Sequence, residues 1–162
     1  LSHSSAASDV YKRQIERAIA FGNNDRPGIM MASAVRTYVN RFAVTPGQNI
    51  TVFTNNDDGW QTARDLLLKN IKVAAVIDSR PIKPVLRIAG AEIFMGVDVI
   101  DTKGRRGLKS IKLSNGKTIE TDTLAVSGGW NPNLHLTCHH RGIPKWNERL
   151  PHSFLMSLFL QE

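Results

Sequence analysis

Two turns rich in glycine and asparagine hold the residues whose types and spacing could do chemistry. The first, Gly128-Gly129-Trp130-Asn131-Pro132-Asn133, follows Leu124 to Val126, a run apolar on both faces. Two glycines after a buried strand let backbone come close to a ligand, and open α/β sheets bind ligands beyond the carboxyl ends of their strands. A tight turn with no ligand has the same composition, so both readings stay open at the level of the residues. The second turn, Thr54-Asn55-Asn56-Asp57-Asp58-Gly59, sits where a dinucleotide fingerprint would carry Gly-x-Gly-x-x-Gly. That motif needs its glycines for a tight turn, for pyrophosphate approach and for helix–strand packing, with an acidic residue about 20 positions later on the ribose. Thr54, Asn56 and Gly59 occupy the glycine register, so the middle position carries a side chain where a phosphate needs bare backbone. Asp57 and Asp58 suit a helix N-terminus but repel a pyrophosphate, while Asp78 stands where the ribose carboxylate would. A capped helix start and a strand-end aspartate account for this turn better than a primary phosphate site does.

Three further groups invite a functional reading. His135, Cys138, His139 and His140 suggest metal or thiol chemistry, but adjacent histidines point apart and no second ligand cluster lies elsewhere. Neither metal binding nor catalysis by Cys138 is expected. Asp25-Arg26 could pair with a cofactor or a partner chain, since an arginine fork suits phosphate and carboxylate, or could tie its own loop. Lys103, Arg105, Arg106 and Lys109 crowd a glycine-containing hairpin tip without interleaved aromatics, which reads as a solvated turn and not a nucleic-acid surface.

The elements that must position these residues follow from periodicity. Ile50 to Thr54 is a short β-branched run, and Ala63, Leu66, Leu67 and Asn70-Ile71 recur at helical spacing after it. Val73 to Ile77 is then apolar on both faces, as a strand inside a parallel sheet must be, which makes a βαβ unit with the helix as crossover. Upstream, Ile29 to Asn40 reads as a helix burying Met30, Ala34 and Val35 or Tyr38. Downstream, Glu92 to Asp101 reads as one strand, Leu108 to Leu113 as the next, and Asn115-Gly116 as a type I′ hairpin turn. Thr118 to Ser127 completes a three-stranded meander and returns at Leu124 to Val126 to the parallel sheet. Gly142 to Asn147 reads as a loop, and the apolar run Phe154 to Leu160 as a terminal helix or out-of-frame sequence.

The whole chain bounds the answer. Its 162 residues hold one core, and 41% hydrophobic content is ordinary for a soluble domain. The net charge of +7 comes from 21 basic and 14 acidic residues that are mostly scattered, so no nucleic-acid partner is expected. One cysteine excludes an internal disulfide framework, and no apolar run is long enough to span a bilayer. A cytoplasmic location with no membrane partner is the expectation. Leu1 to Gln14 is polar, serine-rich and aperiodic, and reads as a disordered tail or sequence foreign to the gene.

Several stretches together resemble the alpha subunit of bacterial heterotetrameric sarcosine oxidase. They are Phe21 to Met30 (Phe-Gly-Asn-Asn-Asp-Arg-Pro-Gly-Ile-Met), Arg36 to Arg41, Val52 to Asp57, Ser127 to Pro132 with His135 to Thr137, and Gly142 to Glu148. The cover runs from about Ile15 to Glu148, with residues 149–162 unmatched. The resemblance implies an α/β fold: a Rossmann-like, three-layer FAD/NAD(P)-binding-type domain with a β-meander, partial because the chain is a fragment, its glycine-rich phosphate loop lying upstream. It implies that Gly128, Gly129, Trp130, Asn131, Pro132, Leu136 and Thr137 close on NAD. It also implies a parent complex that oxidises sarcosine to glycine, with FAD or FMN and tetrahydrofolate held outside this fragment, small-molecule substrate bound elsewhere, and other subunits as partners. No catalytic residue is expected in this chain, and the isolated fragment is expected to be inactive. Two alternatives share the fold: the reductase-like subunit of an opine or amino-acid dehydrogenase, and a non-catalytic subunit-assembly module.

Overall fold

The computed structural model describes residues 14–81, 88–132, 144–147 and 152–155. They fall into two units, residues 18–129 and a second formed by residues 1–17 with 130–162. In chain order the elements are β1 (Gln14–Glu16), β2 (Ile29–Met31), α1 (Ala32–Phe42), β3 (Ile50–Thr54), α2 (Asp57–Leu68), β4 (Val73–Asp78) and β5 (Glu92–Met95). They continue with β6 (Val99–Lys103), β7 (Ser110–Leu113), β8 (Thr118–Glu120), β9 (Thr123–Ser127), β10 (Trp130–Pro132), β11 (Pro144–Asn147) and β12 (His152–Leu155).

The larger unit has three layers. A five-stranded parallel sheet of order β2-β9-β3-β4-β5 lies in the middle. On one face Val52, Val76 and Ala125 pack against Val35 and Val39 of α1 and Trp60, Ala63 and Leu66 of α2. On the other, Phe53, Ile77, Leu124 and Val126 pack against Val99, Leu108, Ile111 and Leu113 of an antiparallel meander, β6-β7-β8. Neighbouring residues of one strand thus serve opposite cores, which is why the middles of the central strands are mostly apolar on both faces. Burying Phe53, Leu66 and Ile77 contributes about 1.5–3 kcal/mol each. This is the partial Rossmann-like α/β fold with a β-meander that the sequence implies.

Several elements of the larger unit differ from the sequence reading, and Thr118 to Ser127 is not one strand but two, β8 of the meander and β9 of the parallel sheet. Ile29–Met31 is a parallel strand beside β9, and the helix starts only at Ala32, with Met31 at its N-cap and no side chain capping it. Ala32, Val35 and Val39 form the buried stripe, whereas Tyr38 is exposed. Glu92 to Asp101 is two strands: Gly96 has φ +66, and the chain leaves the parallel sheet there to begin the meander. At the hairpin, Gly116 has φ +85 but Ser114 and Asn115 are not left-handed, and Gly116 N–H donates to the Leu113 carbonyl. The turn is therefore a type I turn followed by a left-handed glycine and not type I′. Asn70, read as the end of the α2 stripe, is left-handed at φ +57 beyond the helix.

The smaller unit contains two antiparallel pairs, β1 with β10 and β11 with β12. Pro144–Asn147, read as loop, is a strand, and Phe154 and Leu155, read as part of a terminal helix or of out-of-frame sequence, belong to its partner. The rest of the proposed tails, residues 1–13, 149–151 and 156–162, lies outside the described residues.

Candidate functional site

The carboxyl ends of three neighbouring strands line up in register, with Thr54 of β3 opposite both Asp78 of β4 and Ser127 of β9. In this fold that row faces the ligand. At its centre Asn56 is the N-cap of α2, its Oδ1 accepting the Asp58 N–H at 2.9 Å. Its Nδ2 donates to the Ser127 carbonyl at 3.0 Å and lies 3.2 Å from Ser127 Oγ. The Thr54 hydroxyl donates to the Asn56 carbonyl and accepts the Asn56 N–H. A carboxamide and a hydroxyl thus occupy the turn where a nucleotide-binding crossover offers bare backbone to phosphate.

Gly59 keeps the third fingerprint role. A Cβ there would fall inside contact distance of the Thr54 side chain, so only glycine lets α2 start this close to β3. The packing glycine survives while the two phosphate glycines are replaced.

Asp78, in the position of a ribose carboxylate, has no exposed surface. Trp60 Nε1 donates to it at 2.8 Å, and Arg80 donates from its backbone N–H at 2.9 Å and from its guanidinium at 2.8 Å. Burial alone would push this carboxyl up, but the hydrogen bonds from Arg80 and Trp60 and the Arg80 charge outweigh it and hold it below 3.8. Arg80 also bridges to the exposed Asp57 at 2.8 Å, and hydrogen bonding to Asp78 raises its own pKa. Asp58 is paired with Arg36 at 3.0 Å. These residues do not fit an adenosine ribose and pyrophosphate at the β3–α2–β4 turn, because the groups that would receive them are engaged within the chain.

The end of β9 is different. Gly128 is buried, Gly129 is half-buried with φ +87, and among the described residues a Cβ at Gly129 would meet Asn56 Nδ2 alone, at 3.8 Å. Glycine is required there by backbone conformation and not by crowding. Of the other residues expected to close on NAD, Trp130, Asn131 and Pro132 form β10, paired with β1, while Leu136 and Thr137 lie outside the described residues.

Arg26 has a different role from cofactor pairing. It donates to the carbonyls of Gly104 and Thr102, while the Thr102 hydroxyl donates to the Asn23 carbonyl and Asn23 Nδ2 to Asp101. The loop Gly22–Gly28 is therefore a staple on the meander, and Gly28, at φ +101, has the Asp122 carbonyl where a Cβ would sit. Lys103, Arg105, Arg106 and Lys109 are exposed at the hairpin tip. His135, Cys138, His139 and His140 fall outside the described residues, among which no three His, Cys, Asp or Glu residues converge as metal ligands. No helix among the described residues is long and apolar enough to cross a membrane.

Sequence reasoning missed the Asn56–Ser127 and Trp60–Asp78 bonds, which span 71 and 18 residues. The available signal was the adjacency in the βαβ reading of a strand-end aspartate and a tryptophan one turn into the helix.

No family model matches the chain. The sarcosine oxidase subunit alpha of Rhizobium meliloti (strain 1021) is 42% identical over 135 residues, covering 82% of this chain and 14% of that subunit. Its counterpart from Corynebacterium sp. (strain P-1) is 36% identical over 155 residues, covering 86% and 16%. The chain therefore spans 14% to 16% of the length of these curated relatives. Among solved structures, L-proline dehydrogenase from P. horikoshii superposes with a TM-score of 0.69 at 17% identity, over 89% of this chain and 25% of that one. An FAD-dependent pyridine nucleotide-disulphide oxidoreductase from Desulfovibrio vulgaris gives 0.62 at 12% identity, over 85% and 38%. An NAD-dependent persulfide reductase from A. fulgidus gives 0.62 at 16%, over 84% and 28%. At these identities the structural likeness establishes the fold.

Proposed function

Because the chain belongs to the sarcosine oxidase alpha-subunit family, of which it spans 14% to 16%, we propose that it is part of an oxidoreductase subunit and contributes to an NAD site there. The parent complex oxidises sarcosine to glycine, passing electrons through flavin to oxygen and the one-carbon unit to tetrahydrofolate. Flavin, folate and the amine substrate bind outside this chain, which supplies no catalytic residue. The complex is hetero-oligomeric and cytoplasmic, and the fragment by itself is inactive. NAD meets the segment that leaves β9, namely Gly128, Gly129, Trp130, Asn131, Pro132, Leu136 and Thr137, while its phosphates are held by a loop elsewhere in the subunit.

One observation carries this reading. Of the neighbouring strand ends, those of β3 and β4 have their polar groups engaged internally, while that of β9, past the bonded Ser127, continues into glycine backbone that is buried at Gly128 and half-buried at Gly129. The test is NAD titration of the whole subunit, assembled with its partners, with Gly129→Val. Valine at a left-handed position next to the dinucleotide should weaken binding at least tenfold, or about 1.4 kcal/mol. Unchanged affinity sinks the assignment.

The filled crossover favours a second reading, a module that assembles subunits and binds no nucleotide. It predicts no NAD binding before or after the substitution. It also predicts loss of partner subunits on replacing exposed Tyr38 and Phe42 of α1 by serine.

A further inference from the structure

The carboxamide of Asn56 does more than a helix cap requires. Capping needs one acceptor, and serine or aspartate would supply it as well as asparagine does. Oδ1 fills that role towards the Asp58 N–H. The donor half of the amide is left to explain, and it is directed at β9: Nδ2 reaches the carbonyl of Ser127 at 3.0 Å and its hydroxyl at 3.2 Å, with Asn55 Oδ1 at 3.1 Å. The Asn55 N–H meets the same Ser127 carbonyl at 3.3 Å. Ser127 is the last residue of β9, immediately before Gly128.

The two glycines that follow have no side chains to hold their course. Gly129 adopts φ +87, and the position of its missing Cβ lies 3.8 Å from the same Nδ2. Glycine has the widest choice of backbone conformations, so a Gly-Gly exit keeps one direction only if something outside it does the fixing. Asn56 is placed to do so, because α2 and β3 hold it at one end and Ser127 at the other.

We propose that Asn56 is a positioning residue: its amide sets the path on which Gly128 and Gly129 leave the sheet, and through that path the affinity of the parent protein for the dinucleotide. This rests on the reading that those glycines face NAD. Asn56 touches no cofactor in this account and acts only through the β9 exit.

Two substitutions separate the clamp from the cap. Asn56→Ser keeps a capping oxygen but is too short to reach Ser127, and Asn56→Asp keeps both shape and cap but turns an oxygen towards the Ser127 carbonyl. Each is made in the whole subunit assembled with its partners, and read by thermal midpoint, by amide hydrogen exchange at Gly128 and Gly129 without NAD, and by NAD titration. Both variants should keep the midpoint within about 3 °C, because the cap survives. Exchange at the two glycines should quicken, and NAD affinity should fall about tenfold, the size of one or two lost hydrogen bonds. Unchanged exchange and affinity in both variants overturns the proposal, as does an affinity loss accompanied by faster exchange throughout the sheet. Gly129→Val serves as the reference. If it weakens NAD binding and the Asn56 variants do not, the clamp alone is wrong; if it too leaves affinity unchanged, the dinucleotide reading falls and the clamp with it.

Discussion

The carboxyl ends of β4 and β9 flank the same strand, β3, and lie level with each other, yet among the described residues one ends in a bonded carboxylate and the other runs on as glycine backbone. At β4, Asp78 is enclosed by Trp60 and Arg80, and Arg80 extends the network to Asp57. At β9, past the bonds that fix Ser127, the chain runs on as glycine backbone, with one side-chain amide, that of Asn56, against it among the described residues. The same fold geometry thus supports two outcomes. A helix N-terminus and a strand-end carboxylate favour a nucleotide only while they need outside partners, and here Asn56 and Arg80 meet those needs from within. Gly59 persists because its role is mechanical and does not depend on a ligand.

The sharpest way to break that comparison is Asp78→Ala. It leaves Trp60 Nε1 buried without an acceptor and removes the principal partner of Arg80, so we expect a loss of about 3 kcal/mol, read by urea unfolding. A loss below about 1 kcal/mol would mean that the β4 end is not a closed network. The charge dependence has a definite sign. Against the upward push of burial, the hydrogen bonds and charge of Arg80, with Trp60, hold the folded Asp78 carboxyl below its ordinary value, so its contribution is complete above the unfolded value near 4 and is lost as pH falls through the lowered folded value. The stability gap between the wild type and Asp78→Asn should therefore be constant from about pH 5 upward and narrow below about pH 4. A gap that widens on acidification contradicts the network.

Next in size is Gly59→Ala. The added methyl group would overlap the Thr54 side chain, and overpacking of this kind costs about 1–3 kcal/mol. If the overlap is the cause, the double variant Gly59→Ala with Thr54→Gly will lose less than the sum of the singles. Strict additivity would show that Gly59 matters for some reason other than α2–β3 contact.

What could be read from the residues follows the same division. The βαβ unit was legible because Val73 to Ile77 and the α2 stripe are set by periodicity, which burial on two faces imposes directly. The start of α1 was not, since Met31 supplies no capping side chain and Ile29–Met31 suits a strand as well as a helix. The break at Gly96 was hidden because Ile93 to Met95 before it and Val97, Val99 and Ile100 after it both suit a strand. At the site, the degenerate phosphate turn was visible in the side chains of Thr54 and Asn56, which are local facts. What engaged Asp78 was only partly so: Arg80 lies two residues further on, but Trp60 reaches the carboxylate only once α2 is packed on the sheet. The Arg26 staple, which crosses 76 to 78 residues, was equally beyond local reading.

The smallest effect expected is at the open end. Gly129→Ala places a Cβ at φ +87 that among the described residues meets Asn56 Nδ2 at ordinary contact distance, so the cost is one left-handed residue, about 1 kcal/mol. Gly28→Ala makes the matching control, because the same backbone penalty is joined there by overlap with the Asp122 carbonyl and the loss should exceed that at Gly129. Equal losses would place the whole cost in backbone conformation and remove the contrast between a crowded glycine and an open one. A larger loss at Gly129 would mean that the β9 exit is as tightly built as the β4 end. In that case nothing about the row of strand ends would single out β9 as the place where a ligand meets this chain.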